Sequence, residues 1–140
     1  MLLPVCLIAL GCGQDEAAPE APPPKEPVAN GPPPAWVETG SGEHWLAYSS
    51  FCWGTNCATA RPPETRTGLP ELALAAGEEV RFHLDFGPSR VELRVGDRDF
   101  ELPAEQVASW RVEGEAGIAV LRATAEGGGF VEYVARFEVP

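Results

Sequence analysis

"VEYVARFEV", residues 131–139, puts Val131, Tyr133, Ala135, Phe137 and Val139 on one face and Glu132, Arg136 and Glu138 on the other. A period of two is the pattern of a strand with one buried and one wet face. Gly127-Gly128-Gly129 stands just ahead of it, so residues 117–125 and 130–139 are expected to form a hairpin. Further back the alternation recurs. "VRFHLDF", residues 80–86, sets Val80, Phe82, Leu84 and Phe86 against Arg81, His83 and Asp85. "RVELRV", residues 90–95, sets Val91, Leu93 and Val95 against Glu92 and Arg94. Gly77-Glu78, Gly87-Pro88 and Gly96-Asp97 punctuate these runs as turns. No stretch of ten residues carries a helical period, and "PAEQVAS", 103–109, reads at most as one short turn. About seven or eight short strands at roughly ten-residue spacing predict an all-β antiparallel sandwich of about seven strands. With no crossover helices to cover its faces, a parallel α/β sheet is excluded.

Ahead of Trp36 the composition changes. "GQDEAAPEAPPPKEPVANGPPPA", residues 13–35, holds eight prolines in 23 positions and no aromatic residue. Such a segment has too little to bury to offset the entropy of ordering. It is expected to be a disordered tether, reaching on the order of 70 Å if it runs as polyproline II. Before it, "LLPVCLIAL", residues 2–10, is apolar but too short to span a bilayer as a helix, which needs roughly 20 residues. Its length suits the apolar region of an export signal. "ALGC", Ala9–Cys12, then resembles the lipobox of bacterial lipoproteins, although Ala9 and Leu10 stand where that motif usually has a Leu and a small residue. The resemblance implies cleavage before Cys12, acylation of that cysteine and attachment to a bacterial membrane outside the cytoplasm. The expected organisation is a signal over 1–11, a lipidated Cys12 and tether over 12–35, and a domain over 36–140.

The chain carries a net charge of −11; from Trp36 onward there are 17 Asp/Glu against 9 Arg and no Lys, a net −8. That balance disfavours nucleic-acid partners.

Two stretches resemble bacterial Ig-like domains. "PELALAAGEEVRFHL", residues 70–84, is similar to their opening edge strand, turn and core strand. "EAGIAVLRATAEGGGFVEYVARFEV", residues 115–139, is similar to their closing hairpin. "SFCWGTNC", residues 50–57, resembles a Ser-Tyr-Cys-Trp segment of bacterial lipoproteins that carry one such domain, with Phe51 in place of the Tyr. The resemblance implies an Ig-like sandwich and no particular activity. Antibody domains space Cys…Trp…Cys across the two sheets; Cys52 and Cys57 are local neighbours instead.

Once Cys6 leaves with the signal and Cys12 is acylated, Cys52 and Cys57 remain. In an oxidising compartment they are expected to pair. Four intervening residues do not make a C-x-x-C redox centre. A zinc site needs three or four ligands, and only His44 and His83 could join, neither at finger-like spacing, so no metal and no cofactor is expected. The turn "GEEVR" also resembles cupredoxins, but a blue-copper site needs two His, a Cys and usually a Met, and the only Met is Met1. His83 and Asp85, two apart on a strand, could make a hydrolytic pair with Ser89 or Ser109, yet no nucleophile motif surrounds either serine. Trp45 and Trp110 read as core. Phe51 and Trp53, in or beside the cysteine loop, are the candidate partner-binding residues, since Trp is enriched at binding hot spots. The chain is therefore expected to be a non-enzymatic, lipid-anchored envelope module. The alternative is an inhibitor or sensor presenting loop 51–57 to a protein partner.

Overall fold

The computed structural model describes residues 30–140. The signal, Cys12 and most of the Pro-rich segment lie outside the described residues. Eleven strands follow one another: β1 Trp36–Thr39, β2 Gly42–Trp45, β3 Ala47–Trp53, β4 Asn56–Ala58, β5 Glu71–Ala73, β6 Glu79–His83, β7 Pro88–Val95, β8 Arg98–Leu102, β9 Val107–Arg111, β10 Gly117–Ala125 and β11 Phe130–Glu138. The helical content of this part is one 3₁₀ turn, Pro63–Thr65. A four-stranded sheet, ordered β2-β1-β6-β9, packs on a seven-stranded one ordered β4-β3-β11-β10-β7-β8, and β5 joins the latter beside β11. The all-β sandwich is thus present, with more strands than the alternation suggested. All pairings are antiparallel except β5 with β11, which run parallel.

The core forms where the inward residues of both sheets meet. Val37, Val80, Phe82, Ala108 and Trp110 come from the smaller sheet; Val91, Leu93, Leu121, Val131, Tyr133 and Phe137 come from the larger. The expected 117–125/130–139 hairpin is β10–β11, running from Gly117↔Phe137 to Thr124↔Phe130. Its turn needs glycine twice over. Gly128 has φ of 104°, a left-handed conformation costly for other residues. A Cβ on Gly129 would lie 2.9 Å from the Cys52 carbonyl oxygen, so the turn could not approach β3 as it does.

Two sequence expectations need correction, and β3 adds an irregularity of its own. Residues 107–109 belong to a strand, because Ala108, Trp110 and Val112 alternate into the core. The pattern in β3 is broken by a register shift against β11: Phe51 faces Val131, but Tyr48, not Ser49, faces Tyr133. The extra residue is a bulge, and it lets two aromatics three positions apart turn to the same side. Finally, the folded unit starts before Trp36. Pro32 and Ala35 are buried, the latter completely. Tyr48 Oη donates to the Pro32 carbonyl at 2.8 Å and Tyr133 Oη to the Pro33 carbonyl at 2.6 Å. The Leu46 amide donates to Ala35 O, and Asn56 Nδ2 to Asn30 O. Residues 30–35 therefore pack with the domain and are not part of a free tether; proline carbonyls still accept hydrogen bonds although proline nitrogens cannot donate.

Candidate functional site: an indole-lined groove

The turn between β1 and β2 sets Trp36 opposite Trp45, and the next pairing sets Trp36 opposite His83. His83 in turn faces Val107. These four residues form one row across the outer face of the smaller sheet. The neighbouring row, by the same registers, is Glu43, Glu38, Arg81 and Ser109. Within the first row Trp36 and His83 stack face to face, with centroids 3.7 Å apart and planes 4° from parallel. His83 Nε2 lies 3.2 Å from Glu38 Oε1, and Arg81 Nη1 lies 3.5 Å from the other oxygen of the same carboxylate. The rings are half-buried; Val107 is 41% exposed at the sheet edge.

Beyond the row a groove of about 890 Å³ opens, with Gly31, Pro33, Pro34, Gln106 and Val107 among its lining residues. Trp36, Trp45, Trp53 and Phe86 supply its apolar surface. A second hollow, reaching the tip at Gly54–Asn56, shares Gly31 and Trp53 with it. Among the groove's lining residues Asp85 is the one carboxylate, and there is no Arg or Lys.

The residues singled out from sequence are distributed as follows. Cys52 and Cys57 face each other across β3–β4 and are disulfide-bonded, Cα atoms 4.0 Å apart. Reducing this bond should lower stability by about 2 kcal/mol or less, the entropy of closing so short a loop. A urea midpoint measured with and without reductant checks it, and global unfolding on reduction would refute it. Phe51 is 5% exposed and packs in the core, so it offers no surface to a partner. Trp53, two positions further along the strand, is half-buried at the margin of the core and meets Phe86 edge-to-face at 5.0 Å. Trp45 is not core but belongs to the outer row, whereas Trp110 is buried as expected. The His83–Asp85 pair does not form, because Asp85 lies past the end of β6 while His83 turns to Glu38. Ser89 sits on the other sheet with its Oγ 3.4 Å from the Thr124 carbonyl, and Ser109 lies opposite Arg81. His44 bonds Ser41 Oγ, and no group of three or more His, Cys, Asp or Glu among the described residues is placed to hold a metal ion.

Sequence reasoning missed Trp36 and Trp45 as a pair. The signal was there: the Gly-Ser-Gly turn at 40–42 closes a short hairpin, and its register alone brings residues 36 and 45 together. Comparison with known proteins finds no matching family model, no matching curated protein and no matching solved structure.

Proposed function

We propose that the chain is a non-enzymatic contact module, held at a bacterial membrane through an acylated Cys12, and that the groove beside Trp36, Trp45 and Trp53 is its contact face. One observation carries the contact face: three indoles border a solvent-open groove, Trp36 and Trp45 from the outer face of the smaller sheet and Trp53 from the end of β3 in the larger one. Indoles give large, rigid contact area at little entropic cost, which is why they dominate binding hot spots. The anchor is supported by "ALGC" and the apolar run before it.

The expected results are separable. Cys12→Ala should remove the acyl mass and move the protein from the membrane to the soluble fraction; membrane recovery at the wild-type level would refute the anchor. A photo-crosslinker at Gln106, used in intact cells, should capture a partner with the wild-type chain and lose it with Trp45→Ala while the melting curve stays close to wild type. Undiminished capture by that variant would refute the contact face. A second reading, presentation of loop 51–57 to a partner's cleft, is favoured by the exposure of Gly54 and Thr55 at the disulfide-braced tip. Thr55→Arg should abolish capture under that reading and leave it intact under the first.

A further inference from the structure

The two outer faces of the sandwich treat charge differently. On the larger sheet, Arg90 pairs with Glu92 and Glu101, Arg94 with Asp99, and Arg122 with Glu132. The concavity they line holds three Arg against five carboxylates, and four of those carboxylates are ion-paired. The groove on the smaller sheet has a carboxylate without such a pair. Asp85 is exposed and has no hydrogen bond or ion pair within the described residues. His83, the one basic group in the lining, is turned by Nε2 to Glu38. One row over, Glu43 keeps Oε1 buried without a hydrogen-bond partner among the described residues. A groove that combines indole rings with an unpaired carboxylate attracts a cation twice, through the ring quadrupoles and through the formal charge.

Resting on the contact-face reading above, we infer that the groove seats a basic segment of a partner protein, with an Arg or Lys side chain held against the indoles and the Asp85 carboxylate. β9 is an edge strand of its sheet, and Val107 at its start lines the groove. An extended segment can leave by that side, and the 41% exposed Val107 can take the methylene stem of the basic side chain. Arg fits best, since its planar cation both stacks on indole and engages a carboxylate in two hydrogen bonds.

The test titrates the full-length chain with a fluorescent peptide of alternating Arg and Ala, and with the same peptide carrying citrulline, the neutral isostere, at each Arg. The Arg peptide should bind and the citrulline peptide should bind at least about tenfold more weakly, the effect of one charge-assisted contact. Asp85→Asn and Trp45→Ala should each weaken the Arg peptide about tenfold, while Glu92→Gln, on the opposite face, should not. Asp85 is exposed, so its variant keeps the fold and the test stands if Trp45→Ala does not. Equal affinity for the two peptides would overturn the proposal. So would equal weakening by Glu92→Gln, which would reduce the attraction to general acidity. A neutral oligosaccharide bound in a Trp45-dependent manner, with no Arg-peptide binding, would overturn the cation while leaving the contact face standing. Loss of the contact face itself is read separately, from the crosslinking in cells.

Discussion

Tyr133→Ala is expected to destabilise the domain by about 3–5 kcal/mol, in the range measured for removing a buried aromatic ring. Tyr133 is 1% exposed and heads the fully buried side chains by volume. Its ring lies beside Tyr48, centroids 5.7 Å apart, and its hydroxyl holds the Pro33 carbonyl a hundred positions away in the chain. The two contributions can be divided. Tyr133→Phe keeps the ring and removes only the hydroxyl, so it should lose about 1–3 kcal/mol, the range for leaving a buried group without its partner. Equilibrium urea unfolding of the three proteins measures both. If the Phe variant matched wild type, the hydroxyl would have no part in fixing residues 30–35. The pH dependence follows from the same burial. Desolvation, aided by Tyr48 and then by the charge of Asp85, pushes the Tyr133 phenol far above its ordinary value of 10.0. A raised acid binds its proton more tightly when folded. The contribution is therefore fully present below pH 10 and lost progressively as the pH rises above that, when the unfolded tyrosine ionises and the folded one does not. Tyr133→Phe should flatten this alkaline loss.

Trp110→Ala should have an effect of similar size, about 3–5 kcal/mol. Trp110 is 6% exposed and reaches from the edge strand β9 to two strands of the other sheet, meeting Phe100 at 5.3 Å and Phe137 at 6.0 Å between centroids. Without it the side of the sandwich between β9 and β8 loses its filling. Trp110→Phe should be much milder than its lost volume suggests. The indole Nε1 is buried with no hydrogen-bond partner among the described residues, and an unsatisfied buried donor costs about 1–3 kcal/mol. Phenylalanine removes that donor along with part of the ring. Thermal melting of both variants distinguishes the cases: equal losses for Phe and Ala would mean that the indole's full shape, not its burial, holds this edge.

How far the sequence spoke for the fold differs from strand to strand. β6, β7 and β11 were legible because their inward and outward residues differ sharply in polarity. Val80 and Phe82 against Arg81 is such a contrast, and so is Val131 and Tyr133 against Glu132. β1 and β2 were harder. Trp36 and Trp45 are large and apolar yet face outward, so "WVET" and "GEHW" carry little of the contrast on which alternation depends. In β3 the bulge resets the parity, and a strict count of two assigns Phe51 and Tyr48 to opposite faces. The cysteine pair was legible from spacing and context. The groove was not, since it is assembled from β1, β2, the end of β3, β6, the start of β9 and the Gly31–Pro34 segment, which only tertiary structure brings together. Residues 30–35 read as tether because composition cannot show that two tyrosine hydroxyls, at positions 48 and 133, will hold their carbonyls.

Those two hydroxyls also decide where mechanical load enters the molecule. A pull on the chain ahead of Asn30 meets Asn56, then Tyr48, then Tyr133, before it reaches the first ladder of β1. Tension is thus handed at once to β3 and β11, which sit side by side within the larger sheet, while the strand nearest the pull is shielded from peeling. Because Gly31, Pro33 and Pro34 also wall the groove, a partner gripping there would stand next to the point where the line is made fast. Force between the two would pass through the Tyr48 and Tyr133 hydroxyls into the larger sheet before it reached the β1 ladder.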